Sequence, residues 1–172
     1  VVAHADGSVS SLELYNDLPF LLLRKTQRNA GDALVDRQRV APVRFGLDLG
    51  KPAAELRTMG TAGLKPPDKN PGSYLFLTLA DPATRRGVVA GWLTADRGSG
   101  VIFSDVTGDH VRFRAQTDYG HLRLEPGETA KLETLAIGCF DDARIGQELF
   151  AEAIARHYSI HLPSPPAGYC TW

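Results

Sequence analysis

Breaking or remaking a sugar, phosphate or acyl bond needs particular side chains at particular spacings, and this sequence offers few of them. Glycoside hydrolysis takes two carboxylates flanking the scissile bond, about 5 Å apart in retaining enzymes. The chain has 20 acidic residues, but they fall mostly at turn-like and surface-like positions and no two stand out as a pair. No catalytic residue is assigned. His4, His110, His121, His157 and His161 show no H-x-x-x-H spacing, and Cys139 and Cys170 form no C-x-x-C, so no metal site is assigned. Gly60-Thr61-Ala62-Gly63 lacks the Gly-Lys-Ser/Thr ending of a phosphate loop and reads as turn glycines. No cofactor is assigned. A sugar epimerase of mutarotase-like shape would need a His and a Glu converging in a concave sheet. His110, His121 and Glu133 have the right chemistry, but no spacing argues for it. Lys65 and Lys69 are candidate substrate-binding residues. They share the Gly50 to Gly72 stretch with Asp68, Asn70, Pro52, Pro66, Pro67 and Pro71. That stretch has few periodic apolar positions. It reads as a long irregular loop, of the kind that often carries function, weighed against a plain solvated surface loop.

The elements that would position these residues are mostly strands. Seventeen Gly and eleven Pro punctuate many short apolar runs, the pattern of an all-β sandwich or barrel. Val9 to Tyr15 and Phe20 to Lys25 read as strands around the Asn16-Asp17 turn. From Pro42 to Leu49, Val43, Phe45, Leu47 and Leu49 alternate with Arg44, Gly46 and Asp48, giving one buried and one wet face. Tyr74 to Leu79 reads as a central strand, Val88 to Thr94 as its partner and Val101 to Ser104 as a third, together an antiparallel meander. Phe76, Trp92 and Phe103 are expected in the sandwich core. After Gly108-Asp109, Val111, Phe113 and Ala115 alternate with Arg112, Arg114 and Gln116. Pro126-Gly127 suits the centre of a type II turn, and Lys131 to Cys139 reads as the last strand. Cys139 and Cys170 are expected to be small buried hydrophobes rather than a disulfide. The period then changes. Ile145, Leu149, Ala153 and Ile154 fall at helical spacing behind Asp141-Asp142, which can cap a helix.

Composition narrows the partners. The chain has 172 residues, 43% apolar, with 19 basic and 20 acidic side chains and a net charge of −1. No block of like charge stands out, which argues against nucleic acid or an anionic membrane as the main partner. The longest apolar run, Leu18 to Leu23, contains Pro19 and is too short to span a bilayer.

The C-terminal residues carry a resemblance. Pro163, Pro165 and Pro166 mark an extended linker, and Gly168-Tyr169-Cys170-Thr171-Trp172 reads as the first strand of a further domain. Such a strand has no partner at a chain end, so the sequence reads as the N-terminal piece of a longer protein. The GYCTW ending resembles the G-[WY]-C-[ST]-W motif opening the first barrel strand of the α-galactosidase and raffinose-synthase (melibiase-like) glycoside hydrolases. Tyr169 takes the place of that motif's commoner tryptophan, and Leu124-Glu125-Pro126-Gly127-Glu128 is similar to the L-x-P-G-E turn of the same group. The resemblance implies an N-terminal antiparallel β-sandwich of supersandwich type over 1–140. A linker helix and Pro-rich linker over 141–167 would follow, then the start of a (β/α)₈ barrel at 168–172. It implies catalytic carboxylates beyond Trp172. Trp172 is then a sugar-pocket wall, since an aromatic ring buries the C–H face of a sugar. Cys170, two residues earlier on the same strand face, is a weaker candidate. The resemblance also allows the Lys65 and Lys69 loop to reach a barrel mouth.

Two functions follow. In one, the chain is a non-catalytic accessory domain of an α-galactosidase-like hydrolase, contacting carbohydrate through the parent enzyme, supporting its barrel and open to homo-oligomer contacts. In the other, it is a stand-alone carbohydrate-binding or interaction module. The first predicts a large exposed apolar patch, the second exposed aromatics on one sheet face.

Overall fold

The computed structural model describes residues 1–163 and Gly168, and these form two antiparallel sheets packed face to face with one helix behind the larger. The strands are β1 (Val2–Ala3), β2 (Val9–Tyr15), β3 (Leu18–Arg28), β4 (Val35–Leu47), β5 (Arg57–Gly60), β6 (Gly63–Lys65) and β7 (Ser73–Tyr74). They continue with β8 (Phe76–Ala80), β9 (Gly87–Trp92), β10 (Ser99–Thr107), β11 (His110–Leu124), β12 (Thr129–Lys131) and β13 (Leu135–Phe140). The helix α1 is Ala143–His157. Nine strands make the larger sheet, in the order β1-β2-β3-β13-β9-β8-β5-β6 with β12 also on β3. The smaller sheet runs β4-β11-β10-β7. The mainly β sandwich and its single late helix are as the strand punctuation predicts. No described helix is long and apolar enough to cross a membrane.

The alternations in β4 and β11 become the two faces of the smaller sheet. Val111, Phe113 and Ala115 are fully buried, and Val43, Phe45, Leu47 and Leu49 pack against them from the edge. Facing them from the larger sheet are Leu77, Leu79, Ala90, Trp92 and Leu135. The other face of the larger sheet holds Phe20, Leu22, Val89 and Ala136, which α1 covers with Phe150 and Ala153. Every residue of β9 is therefore buried. The Glu125–Glu128 turn forms as expected, with Gly127 at φ 80° and the Glu128 N–H donating to the Glu125 carbonyl at 3.0 Å.

Several expectations are corrected. The Gly50 to Gly72 stretch is not an irregular loop. It forms two single-turn 3₁₀ segments and the β5–β6 hairpin, which extends the larger sheet beyond β8. The run from Tyr74 to Leu79 is two strands in different sheets, hinged at Leu75 with φ 69°. That left-handed backbone is unusual for leucine and is held from both sides. The Leu75 N–H donates to the Gly100 carbonyl at 3.0 Å, and its own carbonyl accepts the Trp92 N–H at 2.8 Å. Only β8 and β9 form the expected hairpin, because β10 joins the other sheet with β11. The last strand breaks at Leu132–Thr134 into β12 and β13. Phe76 packs toward α1, and Phe103 faces outward under Arg114, so Trp92 alone of the three aromatics lies in the sandwich core. Cys139 is exposed at the rim rather than buried. The helix turns Ala143, Gly146, Phe150 and Ala153 inward and leaves Ile145 half exposed.

Close approach sets that rotation. Phe150 rests on Gly91 of β9, and a methyl group there would meet the Phe150 ring. Gly91→Ala is expected to cost about 1–3 kcal/mol through overpacking, read as a lower denaturant midpoint with unchanged slope. Asp142 caps the helix, accepting from the Arg144 N–H at 3.0 Å. The Arg144 guanidinium, then the Arg144 N–H, hold the Asp142 carboxyl well below the usual carboxylate range. A carboxyl depressed by folding adds stability that is present above the unfolded value of about 4 and lost as pH falls below it. The thermal midpoint should fall as the pH is lowered below about 4. Asp142→Asn keeps a capping oxygen but not the charge, so its acid fall should be shallower. A variant as acid-sensitive as the parent would refute this.

Candidate functional site

The pairing of β3 with its neighbours decides which side chains share the outer face of the larger sheet. Ser11 pairs with Arg24, and Lys131 with Thr26, so all four lie on the side that α1 occupies. The helix does not reach that far. Its last residue, His157, forms one wall of a cleft of about 400 Å³ whose floor is this strand surface. The segment Thr94–Arg97 lines it as well, tied to the end of the helix by the Tyr158 hydroxyl, which accepts the Ala95 N–H at 2.9 Å. A second depression of about 330 Å³ continues past Arg24 and His157 to Tyr15, Asp17 and Arg156.

Buried Glu133 holds the Thr94–Arg97 wall in place. One carboxylate oxygen accepts the Thr94 hydroxyl and the Asp96 N–H at 3.2 Å. The other accepts the Arg97 N–H at 2.9 Å and the Gly98 N–H at 3.1 Å. A carboxylate offers about four lone-pair sites, and here they are filled. The Glu133 N–H itself donates to the Tyr119 hydroxyl at 3.1 Å, and burial pushes that phenol upward. The same economy holds across the cleft. Glu13 accepts from Tyr15 at 2.7 Å, Ser11 at 2.8 Å and Arg24 at 2.9 Å, which together lower its pKa. Asp96 accepts the Tyr158 hydroxyl at 2.7 Å. These acids position backbone and cations. The groups left facing solvent are hydroxyls, cations and an imidazole, which can bind a polar molecule.

The structure separates the remaining sequence candidates. His110 and His121 both lie on β11, eleven residues apart and near its two ends. His121 bonds Asp36 at 2.9 Å, and neither histidine lines the cleft around Glu133. The mutarotase-like constellation therefore does not assemble. Lys65 sits on the edge strand β6, with its backbone carbonyl accepting the Thr58 hydroxyl at 3.1 Å. Lys69 is exposed and pairs with Asp68 at 3.0 Å. The two lysines lie at the β6 edge of the larger sheet, away from the cleft. Trp172 and Cys170 lie outside the described residues. Sequence reading missed the cleft because Thr94–Arg97 and β12 come to the β2–β3 surface from about 70 and 100 residues further along the chain. The signal available was Glu133 itself, a charge inside an apolar run.

No protein-family model matches the chain, and no curated protein matches it in sequence. Among solved structures, it is similar to the GH36 alpha-galactosidase AgaB from Geobacillus stearothermophilus. The TM-score is 0.58 and the identity 12%, over 78% of this chain and 22% of that one. At that identity the likeness is one of fold, and it is with a glycoside hydrolase. The chain spans about a fifth of the length of the protein it matches.

Glu133→Gln leaves the size unchanged but turns an amide NH₂ toward donors that need acceptors. It should cost about 2–4 kcal/mol, measured by urea denaturation. Stability within experimental error of the parent would show that Glu133 does not organise the wall.

Proposed function

We propose that this chain is a non-catalytic accessory β-sandwich domain of an α-galactosidase-like glycoside hydrolase, placed N-terminal to a catalytic barrel. The observation that carries the reading is an unequal sandwich. Four strands cannot cover the inner face of nine, and the uncovered wing is apolar. Leu12 of β2 pairs with Leu23 of β3 on the inner face, just outside the core against which Leu23 and Ile137 pack. Leu12 is 62% exposed and Leu14, two residues on, 76%. Beyond α1, Ile160 and Leu162 are exposed as well. Exposed leucines on an uncovered inner face mark a site that another body covers. The fold likeness to an alpha-galactosidase supports the identity of that body as the rest of a hydrolase. In this reading the sandwich supports the barrel. The Lys65 and Lys69 edge and the segment ending at Trp172 are the places to look for contact with a sugar pocket or a second subunit.

The experiment compares this chain with the full polypeptide encoded by its gene on nitrophenyl α- and β-galactosides. Hydrolysis of the α-anomer by the full polypeptide alone is the expected result. Leu12→Glu with Leu14→Glu should then lower the thermal midpoint of the full polypeptide by several degrees, since each buried leucine contributes about 1.5–3 kcal/mol. The same pair should leave this isolated chain unchanged or more soluble. Inactivity of both forms on every glycoside would sink the proposal, as would equal sensitivity of both to the leucine changes.

A further inference from the structure

The outer face of the smaller sheet gathers arginines that the sequence scatters. Register sets Arg44 of β4 opposite Arg114 of β11, and Arg114 opposite Phe103 of β10. The next row on the same face is Gly46, Arg112 and Asp105. Directly opposed residues have Cβ atoms about 5 Å apart, and the next same-face residue lies about 7 Å along the strand. Three guanidinium groups therefore spring from a triangle of about 5 by 7 Å. Like charges directly opposite each other destabilise a sheet. Arg39, further along the face, is neutralised by Asp118 at 3.0 Å. Among the described residues, Arg44 and Arg112 make no ion pair.

The arrangement is also shaped. The Arg114 guanidinium lies over the Phe103 ring, 4.1 Å from its centroid, and bonds Gln116. That fixes it flat, with its donors aimed sideways. Gly46 leaves open space opposite Arg112, where a Cβ would have no neighbour within 4 Å. Two shallow depressions, of about 460 and 300 Å³, meet at Arg114. Tyr74 lies 62% exposed beside the second. Asp105 stands across from Arg112 in its row, whereas Arg44, on the edge strand, has only Arg114 opposite it; arginine side chains match planar oxyanions, which they bind bidentately.

We propose that this sheet face binds an acidic polysaccharide, with its carboxylate or sulfate groups held by Arg44, Arg112 and Arg114 and a sugar ring against Tyr74. The choice of a sugar polymer rests on the hydrolase reading above, whereas the affinity for oxyanions rests on the arginines alone. Nucleic acid fits less well. Strong duplex binding takes about 6–10 phosphate contacts along a stripe, and this cluster is compact on a chain of net charge −1.

The test titrates this chain, at low salt, with polygalacturonate, dextran sulfate, uncharged dextran and duplex DNA. Binding to one of the acidic polysaccharides should exceed binding to dextran and to DNA by about tenfold or more. Arg44→Thr and Arg112→Thr should each weaken it by about tenfold, while Lys51→Thr should not. Arg44→Thr should also leave the thermal midpoint unchanged or raise it, because the like-charge pair is gone. A structural arginine would show the reverse, with stability lost and binding kept. Equal binding to dextran or to DNA overturns the proposal, as does a destabilised Arg44→Thr that binds normally. A full polypeptide that cleaves α-galactosides, beside a chain that ignores both acidic polymers, would end this proposal and leave the accessory-domain reading standing.

Discussion

Burial of β9 on both faces is the constraint around which the other elements arrange themselves. Alternate residues of one strand must be covered from opposite sides. Ala90 and Trp92 point into the sandwich, and Val89 and Gly91 point at the helix. Trp92 fills so much of the inter-sheet space that its neighbour Gly100 has no room for a Cβ. Its indole N–H is buried without a partner among the described residues, so the position is occupied for volume rather than polarity. On the other side, Gly91 lets Phe150 descend onto the strand, which fixes both the height and the rotation of α1. Leu75 is tied to the same place. Its strained backbone persists because its two hydrogen bonds join β9 to β10 across the sheets.

What the sequence made legible was local. The period-two runs of β4 and β11, the Pro126-Gly127 turn and the Asp142 cap each declare themselves within a few residues. The failures are all cases in which tertiary pairing chose between local options. Tyr74 to Leu79 is uniformly apolar, so nothing in it marks the change of sheet at Leu75. The prolines between Gly50 and Gly72 suggest irregularity, yet Thr58 and Asn70 bond at 3.0 Å and lock a short edge hairpin. Ile145 looked like a core position by spacing, but the glycine surface beneath α1 accepts Phe150 and Gly146 instead. Cys139 faces inward on a strand that extends past the cover of the smaller sheet, which leaves it at an open rim.

The same distinction explains the candidate sites. Glu133 is visible in the sequence as a charge among apolar residues, and a buried charge must be paired or fully hydrogen-bonded. Which of the two holds is a property of the Thr94–Gly98 loop, contributed from far along the chain. The arginine cluster is less visible still. Arg44 and Arg114 are seventy residues apart, each flanked by apolar neighbours, and each reads as an ordinary wet-face residue of an alternating strand. Only the β4–β11 register sets them opposite each other. An even distribution of charge along a sequence therefore says little about its distribution over a sheet.

The two exposed surfaces follow from a single asymmetry. A nine-stranded sheet paired with a four-stranded one leaves inner face uncovered near β2 and β3, and leucines there leave an apolar wing that another body can cover. The smaller sheet is covered by the larger one only on its inner side, and its outer face packs locally where Val101 and Phe103 meet Gly72. Arg44 stands directly opposite Arg114, and threonine or glutamine would satisfy its wet strand position without like-charge repulsion. Like charges directly opposed cost stability, and that cost is what the proposed oxyanion site would offset. The apolar wing is a matter of architecture by the same logic, because burying it would add stability.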